Sequence, residues 1–196
     1  AEMHAVFVST TADSNAGSLR NALTSANADS PALSDILFDP VLFGTTPRTI
    51  NLTGALPDIN TSISVSGPGA KLLTVRRDTG GDYRVFNIAA GYEVAFSGLT
   101  ISNGRVADFG AGMQSLSRLS LTETAFLGNT AIGGGGGGLA VFNNASVKNS
   151  TFSGNSAGFG GAINLAGGNV QLRVVNTTIS GNTASVETGG ILVQNS

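Results

Sequence analysis

The sequence predicts an all-β fold: a right-handed, single-stranded parallel β-helix of roughly six to seven coils, with a short N-terminal capping helix and an open C-terminal end. Two observations predict it. The first is a repeat. Phe126-Leu127-Gly128-Asn129-Thr130-Ala131 recurs as Phe152-Ser153-Gly154-Asn155-Ser156-Ala157 and as Ile179-Ser180-Gly181-Asn182-Thr183-Ala184, with asparagines 26 and then 27 residues apart. The second is composition. Glycine supplies 28 of 196 residues, and 11% are charged where about 25% is usual. Glycine at that density costs about 1 kcal/mol per residue inside a helix, which excludes helical repeats.

Each copy carries the same three pieces. An alternating run comes first: Leu119-Ser-Leu121, Val147 through Phe152, and Leu172-Arg-Val174. After the asparagine comes a glycine-rich turn, and then a short apolar strand: Gly137-Gly138-Leu139-Ala140-Val141, Gly160-Gly161-Ala162-Ile163, and Gly189-Gly190-Ile191-Leu192-Val193. A degraded earlier copy reads Leu99 to Gly104 followed by Gly110-Ala111-Gly112-Met113. About three strands of three to five residues per period are too short to form hairpin cores alone. Stacked one period above another, they pair in parallel at about 4.8 Å and turn their apolar side chains inward. A period in the mid-twenties suits a three-sided coil.

Upstream, Ile36-Leu-Phe38, Ile50-Asn-Leu52, Ile63-Ser-Val65, Leu72 to Val75, Val85 to Ile88 and Val94-Ala-Phe96 read as further short strands, with corners at Pro57-Asp58, Gly67-Pro68-Gly69 and Thr79 to Asp82. Between Ser18 and Asn27, Leu19, Ala22, Leu23 and Ala26 fall at helical spacing, with Ser18 or Gly17 as N-cap. With the strand Val6-Phe7-Val8, this helix is expected to cover the first coil. Residues 1–35 are therefore assigned to a cap and 36–196 to the β-helix.

The Phe-x-x-Asn motifs at 126–129 and 152–155, with Gly-Gly-Ala-Ile at 160–163, resemble the repeats of polymorphic outer-membrane proteins and related bacterial surface β-helices. The front end, Gly17-Ser-Leu-Arg-Asn-Ala22 followed by Asp35 to Asp39, Thr49 to Leu52 and Ser66 to Gly69, is similar to the cap region of secreted bacterial β-helix proteins with a Cys-Ser-Leu-Arg-Glu-Ala motif. Gly17 stands in place of that cysteine and Asn21 in place of the glutamate. The resemblance implies a secreted or cell-surface life after removal of any signal peptide. It leaves the chemistry open, because one solenoid serves adhesins and polysaccharide enzymes alike.

Charge and composition exclude several functions. A net charge of −2 with no basic stripe gives nucleic acid nothing to hold. No apolar run approaches the roughly 20 residues of a bilayer span. The chain has no cysteine and one histidine, His4, so neither a thiolate nor a multi-histidine metal site is expected. Asp35, Asp39 and Asp58 offer oxygen ligands for calcium, but no D-x-D-x-D-G loop or G-G-x-G-x-D nonapeptide accompanies them, so turn roles are expected and no cofactor. Beyond Asp108 the only charges are Arg118, Glu123, Lys148, Arg173 and Glu187, at unequal offsets in the repeat. No catalytic residue is assigned. A Thr-x-Thr stripe of the kind ice binding requires does not recur at the repeat period.

The charge-rich segment Arg76-Arg77-Asp78-Thr79-Gly80-Gly81-Asp82-Tyr83-Arg84 is the candidate binding loop, with arginine forks for an acidic sugar and Tyr83 for stacking. The alternative is a solvated corner whose acids and bases pair with one another, which the sequence favours. Asn129, Asn155 and Asn182 are expected to stack at one corner as a structural ladder. The last period stops after its post-turn strand, which implies either a longer protein or an end covered by a second copy stacked head to tail. The function expected is that of a non-catalytic, exported, adhesin-like or structural β-helix, with filament formation through the open coil. The competing reading is a polysaccharide-binding or lyase-like module.

Overall fold

The computed structural model describes residues 4–29 and 33–194. Residues 1–3 and 30–32, parts of the expected cap region, lie outside them. Every strand pairing is parallel and joins a strand to its counterpart one coil away. Face A has seven strands: His4–Val8, Ser34–Phe38, Ile63–Ser66, Glu93–Ser97, Arg118–Thr122, Ala145–Lys148 and Leu172–Val175. Face B has six: Arg48–Leu52, Leu73–Arg77, Thr100–Ser102, Ala125–Leu127, Thr151–Ser153 and Thr178–Ser180. Face C has five, from Phe86–Ile88 through Met113–Ser115, Leu139–Val141 and Ile163–Ala166 to Ile191–Gln194. The chain is a parallel β-solenoid of about seven turns.

The three-sided expectation needs one correction. A fourth, short ladder lies between faces B and C: Arg105–Val106, Thr130–Gly135, Ser156–Phe159 and Thr183–Ala184. Here the chain runs out past the asparagine corner and returns through the glycine-rich turn, building a thin fin. Its small core is separate from the main one and consists of Ala111, Ala131 and Ala157 with Val106 against them. Alanine-sized packing explains why the strand gives no hydrophobic period in the sequence, and it explains the glycine pairs. A side chain at Gly137 would meet the backbone carbonyls of Ser156 and Gly161, and one at Gly161 those of Thr183 and Gly189.

Inside the coil, alternate residues form continuous apolar columns. Face B stacks Val75, Ile101, Phe126, Phe152 and Ile179 in register, and the first four are fully buried. Phe126 and Phe152 lie ring on ring, with centroids 4.7 Å apart and planes within 2° of parallel. Face A stacks Ile36, Val65, Phe96, Leu121, Val147 and Val174. Burying such a side chain contributes about 1.5–3 kcal/mol, so each coil is held mainly by what it stacks upon.

Helix α1 spans Leu19–Ala28, and Ser18 is its N-cap, its Oγ accepting from the Asn21 backbone N–H at 3.1 Å. Leu19, Ala22, Leu23 and Ala26 are buried in the main core, and the helix packs on the first two strands of face A. A four-residue helix α2, Pro40–Phe43, follows, with Asp39 as cap and Pro40 in its first turn. Among the described residues, no helix is long and apolar enough to cross a membrane.

Candidate functional site

Two corners set the geometry of the four coils from Glu93 onward. Between faces A and B, Gly98, Glu123, Asn149 and Asn176 occupy equivalent positions, and all have positive φ, at 63°, 55°, 51° and 47°. Between face B and the fin, Asn103, Gly128, Gly154 and Gly181 share that conformation at 59° to 64°. Glycine and asparagine tolerate the left-handed region best. The residue after the second corner is Asn129, Asn155 or Asn182, and these three form the expected column. Asn129 Oδ1 accepts from the Gly104 N–H at 2.9 Å. Asn155 Oδ1 accepts from both the N–H and Nδ2 of Asn129 at 3.0 and 2.9 Å, and Asn182 Oδ1 repeats that pair on Asn155 at 2.9 Å. Each Nδ2 also donates to a carbonyl on the preceding coil, Ile101, Phe126 and Phe152 respectively. Asn129 and Asn155 are wholly buried, so their amides satisfy backbone groups that water cannot reach.

The Asn103-Gly104 copy is a swap rather than a decay. Asn103 takes the left-handed corner, and Gly104 takes the ladder position, where a side chain would collide with the Ala111 carbonyl.

The charged loop is largely paired within itself. Arg76 Nη2 meets Asp78 Oδ1 at 2.6 Å. Arg77 donates to the carbonyls of Asn103 and Gly81 at 2.7 and 3.0 Å and lies 3.9 Å from Asp82, which also meets Arg105 Nε at 3.2 Å. Tyr83 is only 7% exposed. Its hydroxyl sits 2.6 and 2.7 Å from the Leu52 and Thr79 carbonyls, and burial pushes its proton affinity up. The ring is therefore a packing element, not a free stacking platform.

Arg84 turns away from its neighbours. Its Nη1 donates to Asn87 Oδ1 at 3.1 Å and its Nη2 to the Phe109 carbonyl at 2.9 Å, with Asp108 Oδ2 at 3.5 Å. Nε is buried without a partner, and burial draws the guanidinium below its ordinary range against the opposing pull of Asp108. Arg84 lines a cleft of about 290 Å³ with Ala55, Leu56, Asp58, Tyr83, Asn87 and Val106.

The aspartates do not converge. Asp35 bonds the Ser64 hydroxyl on face A, Asp39 caps α2 through the Val41 N–H, and Asp58 lies in the Arg84 cleft. No group of three or more potential metal ligands occurs among the described residues. A second, larger hollow of about 510 Å³ runs along the outside of face A, bordered by Asp35, Ser64, Glu93, Arg118, Ser146 and Arg173 among others. On face B, Thr49, Thr74, Thr100, Thr151 and Thr178 align with Ala125 among them, but the neighbouring column is Asn51, Arg76, Ser102, Leu127, Ser153 and Ser180, so no Thr-x-Thr lattice forms.

One partly buried polar centre escaped the sequence reading. Asp13 accepts two bonds from Arg20 Nη2 at 2.8 and 3.0 Å, and one each from the Thr53 N–H and hydroxyl at 2.9 and 2.7 Å, while Arg20 also reaches the Gly54 carbonyl at 2.9 Å. Arg20 lies 7 residues from Asp13 but Thr53 lies 40 away, and no local spacing marks such a meeting.

No protein-family model matches the chain, and no curated protein matches it.

Proposed function

We propose that this chain is a non-catalytic, exported β-solenoid that acts at a cell surface as an adhesive or structural element. The observation that carries the reading is the pairing of the charge-rich loop. Arg76 with Asp78, and Arg77 and Arg105 with Asp82, leave no opposed carboxylates placed for acid–base work. Hydrolytic pairs need carboxyl groups facing one bond at a fixed separation. The likeness of the repeats and the Ser-Leu-Arg segment to those of secreted bacterial proteins supports export, as does a surface rich in serine, threonine and asparagine.

End-to-end assembly is the second part of the proposal. In the rung from Leu172 to Gln194, Leu172, Val174, Ile179 and Ile191 are only partly buried, and this rung is the edge of all four ladders among the described residues. Unpaired strand edges over apolar side chains are templates for strand addition.

The test has two arms. Incubation with a panel of acidic polysaccharides, with and without calcium, is expected to release no reducing or unsaturated ends; release that depends on Asp78 and Arg84 would overturn the non-catalytic reading. Light scattering and negative-stain imaging over a concentration series are expected to show lengthening particles, and monomers persisting at high concentration would remove the filament.

A further inference from the structure

We propose that the cleft beneath the first fin strand is a binding site for one neutral sugar ring of a glycan, with Arg84, Asn87 and Asp58 as its polar contacts. This goes beyond the scaffold role and does not depend on assembly. At about 290 Å³ the cleft is at the small end of ligand pockets, the scale of a single ring rather than an extended chain.

Its chemistry points to a neutral, polyhydroxylated partner. Asp58 and Arg84 line the same hollow, yet no ion pair closes between them, and Arg84 is anchored instead by Asn87, the Phe109 carbonyl and Asp108. A sugar hydroxyl both donates and accepts, so one hydroxyl can give its proton to Asp58 while a neighbour accepts from the guanidinium. A carboxylate ligand would gain from Arg84 and be repelled by Asp58. Leu56, Ala55 and Val106 supply an apolar wall for the C–H face of the ring. Arg84 is positioned before any ligand arrives, because its held side chain is only 20% exposed, and preorganised donors lose less entropy on binding. The other charges of the loop, Arg76, Arg77, Asp78 and Asp82, are already paired among themselves or with Arg105.

The test is titration of the isotope-labelled full chain by NMR with cellotetraose, mannotetraose and chitotetraose, and with tri-galacturonate as the acidic probe. At least one neutral probe is expected to shift the resonances of Asn87 and Val106. Asp58→Asn should weaken that binding at least tenfold. Its backbone carbonyl, which accepts from Asn27 Nδ2 at 2.7 Å, is retained, and an unchanged Tm confirms that the fold survives. Ala55→Trp, at an exposed rim position, should abolish binding by filling the hollow, and Asp78→Asn should leave it unchanged. Three results would each overturn the proposal: no shift at the cleft with any neutral probe, binding by either cleft variant as tight as by the wild type, or tighter binding of tri-galacturonate. None of them touches the non-catalytic reading, which is judged by release of polysaccharide ends.

Discussion

Asn155 Oδ1 accepts two hydrogen bonds from Asn129, one from its backbone N–H and one from its side-chain Nδ2, so a single oxygen joins two coils at a corner closed to water. Asn155→Ala would leave the Asn129 N–H without a partner, remove one of the two bonds made by Asn129 Nδ2, and take away the side-chain bond to the Phe126 carbonyl. Each buried orphan costs about 1–3 kcal/mol. The expected loss in urea unfolding is therefore about 3 kcal/mol, and Asn182→Ala, at a half-buried site, should lose less. Equal effects would mean that the ladder adds nothing beyond local turn formation.

Glu123 is the one residue in its corner column that is neither glycine nor asparagine, and it holds a φ of 55°. A left-handed backbone costs an ordinary L-residue about 1–2 kcal/mol. Glu123→Gly or Glu123→Asn should therefore raise stability by about 1 kcal/mol, read as a higher urea midpoint with unchanged slope. A lower midpoint would show that the carboxylate has an interaction larger than the strain.

The fin depends on absent side chains. Gly137→Ala would push a Cβ into the Ser156 and Gly161 carbonyls, and overpacking of this kind costs about 1–3 kcal/mol. Gly128 has open space around the same virtual atom, so Gly128→Ala is charged only for its positive φ of 62°. Thermal melts of the two variants should differ, with the larger drop at Gly137.

Asp13 controls the acid limb of stability. Burial opposes its charge, but the bonds from Thr53 and Arg20 outweigh burial and hold its carboxyl below the usual aspartate range. A depressed folded pKa contributes stability that is fully present above the unfolded value of about 3.9 and is lost as pH falls through the folded pKa. Asp13→Asn should thus be destabilised at pH 7, with a smaller further loss than wild type below about pH 4. Parallel Tm profiles of the two proteins in that range would contradict this assignment.

Much of the fold was legible because a solenoid writes its geometry as a period. The Phe126, Phe152, Ile179 column and the asparagine corner both follow from spacings of 26 and 27 residues. Helix α1 was legible from Leu19, Ala22, Leu23 and Ala26, all of which are buried. The fin was not, because Ala131 and Ala157 are too small and their strands too short to register as hydrophobic alternation. Helix α2 was missed although Asp39-Pro40 is a cap followed by a first-turn proline. The charged loop was located, but the direction of Arg84 was not, since its anchors, Phe109 and Asp108, lie on the next coil.

The most direct measurement of the stacking on which every role depends is nitroxide labelling of cysteine pairs introduced on face A. Ser120 and Ser146 are in register on adjacent coils, and Arg173 follows one coil later. Labels at 120 and 146 should show strong dipolar broadening at one strand spacing of about 4.8 Å, and labels at 120 and 173 a weaker one at about twice that distance. Unbroadened spectra from the 120 and 146 pair in the folded protein would contradict the parallel winding and the functions built upon it.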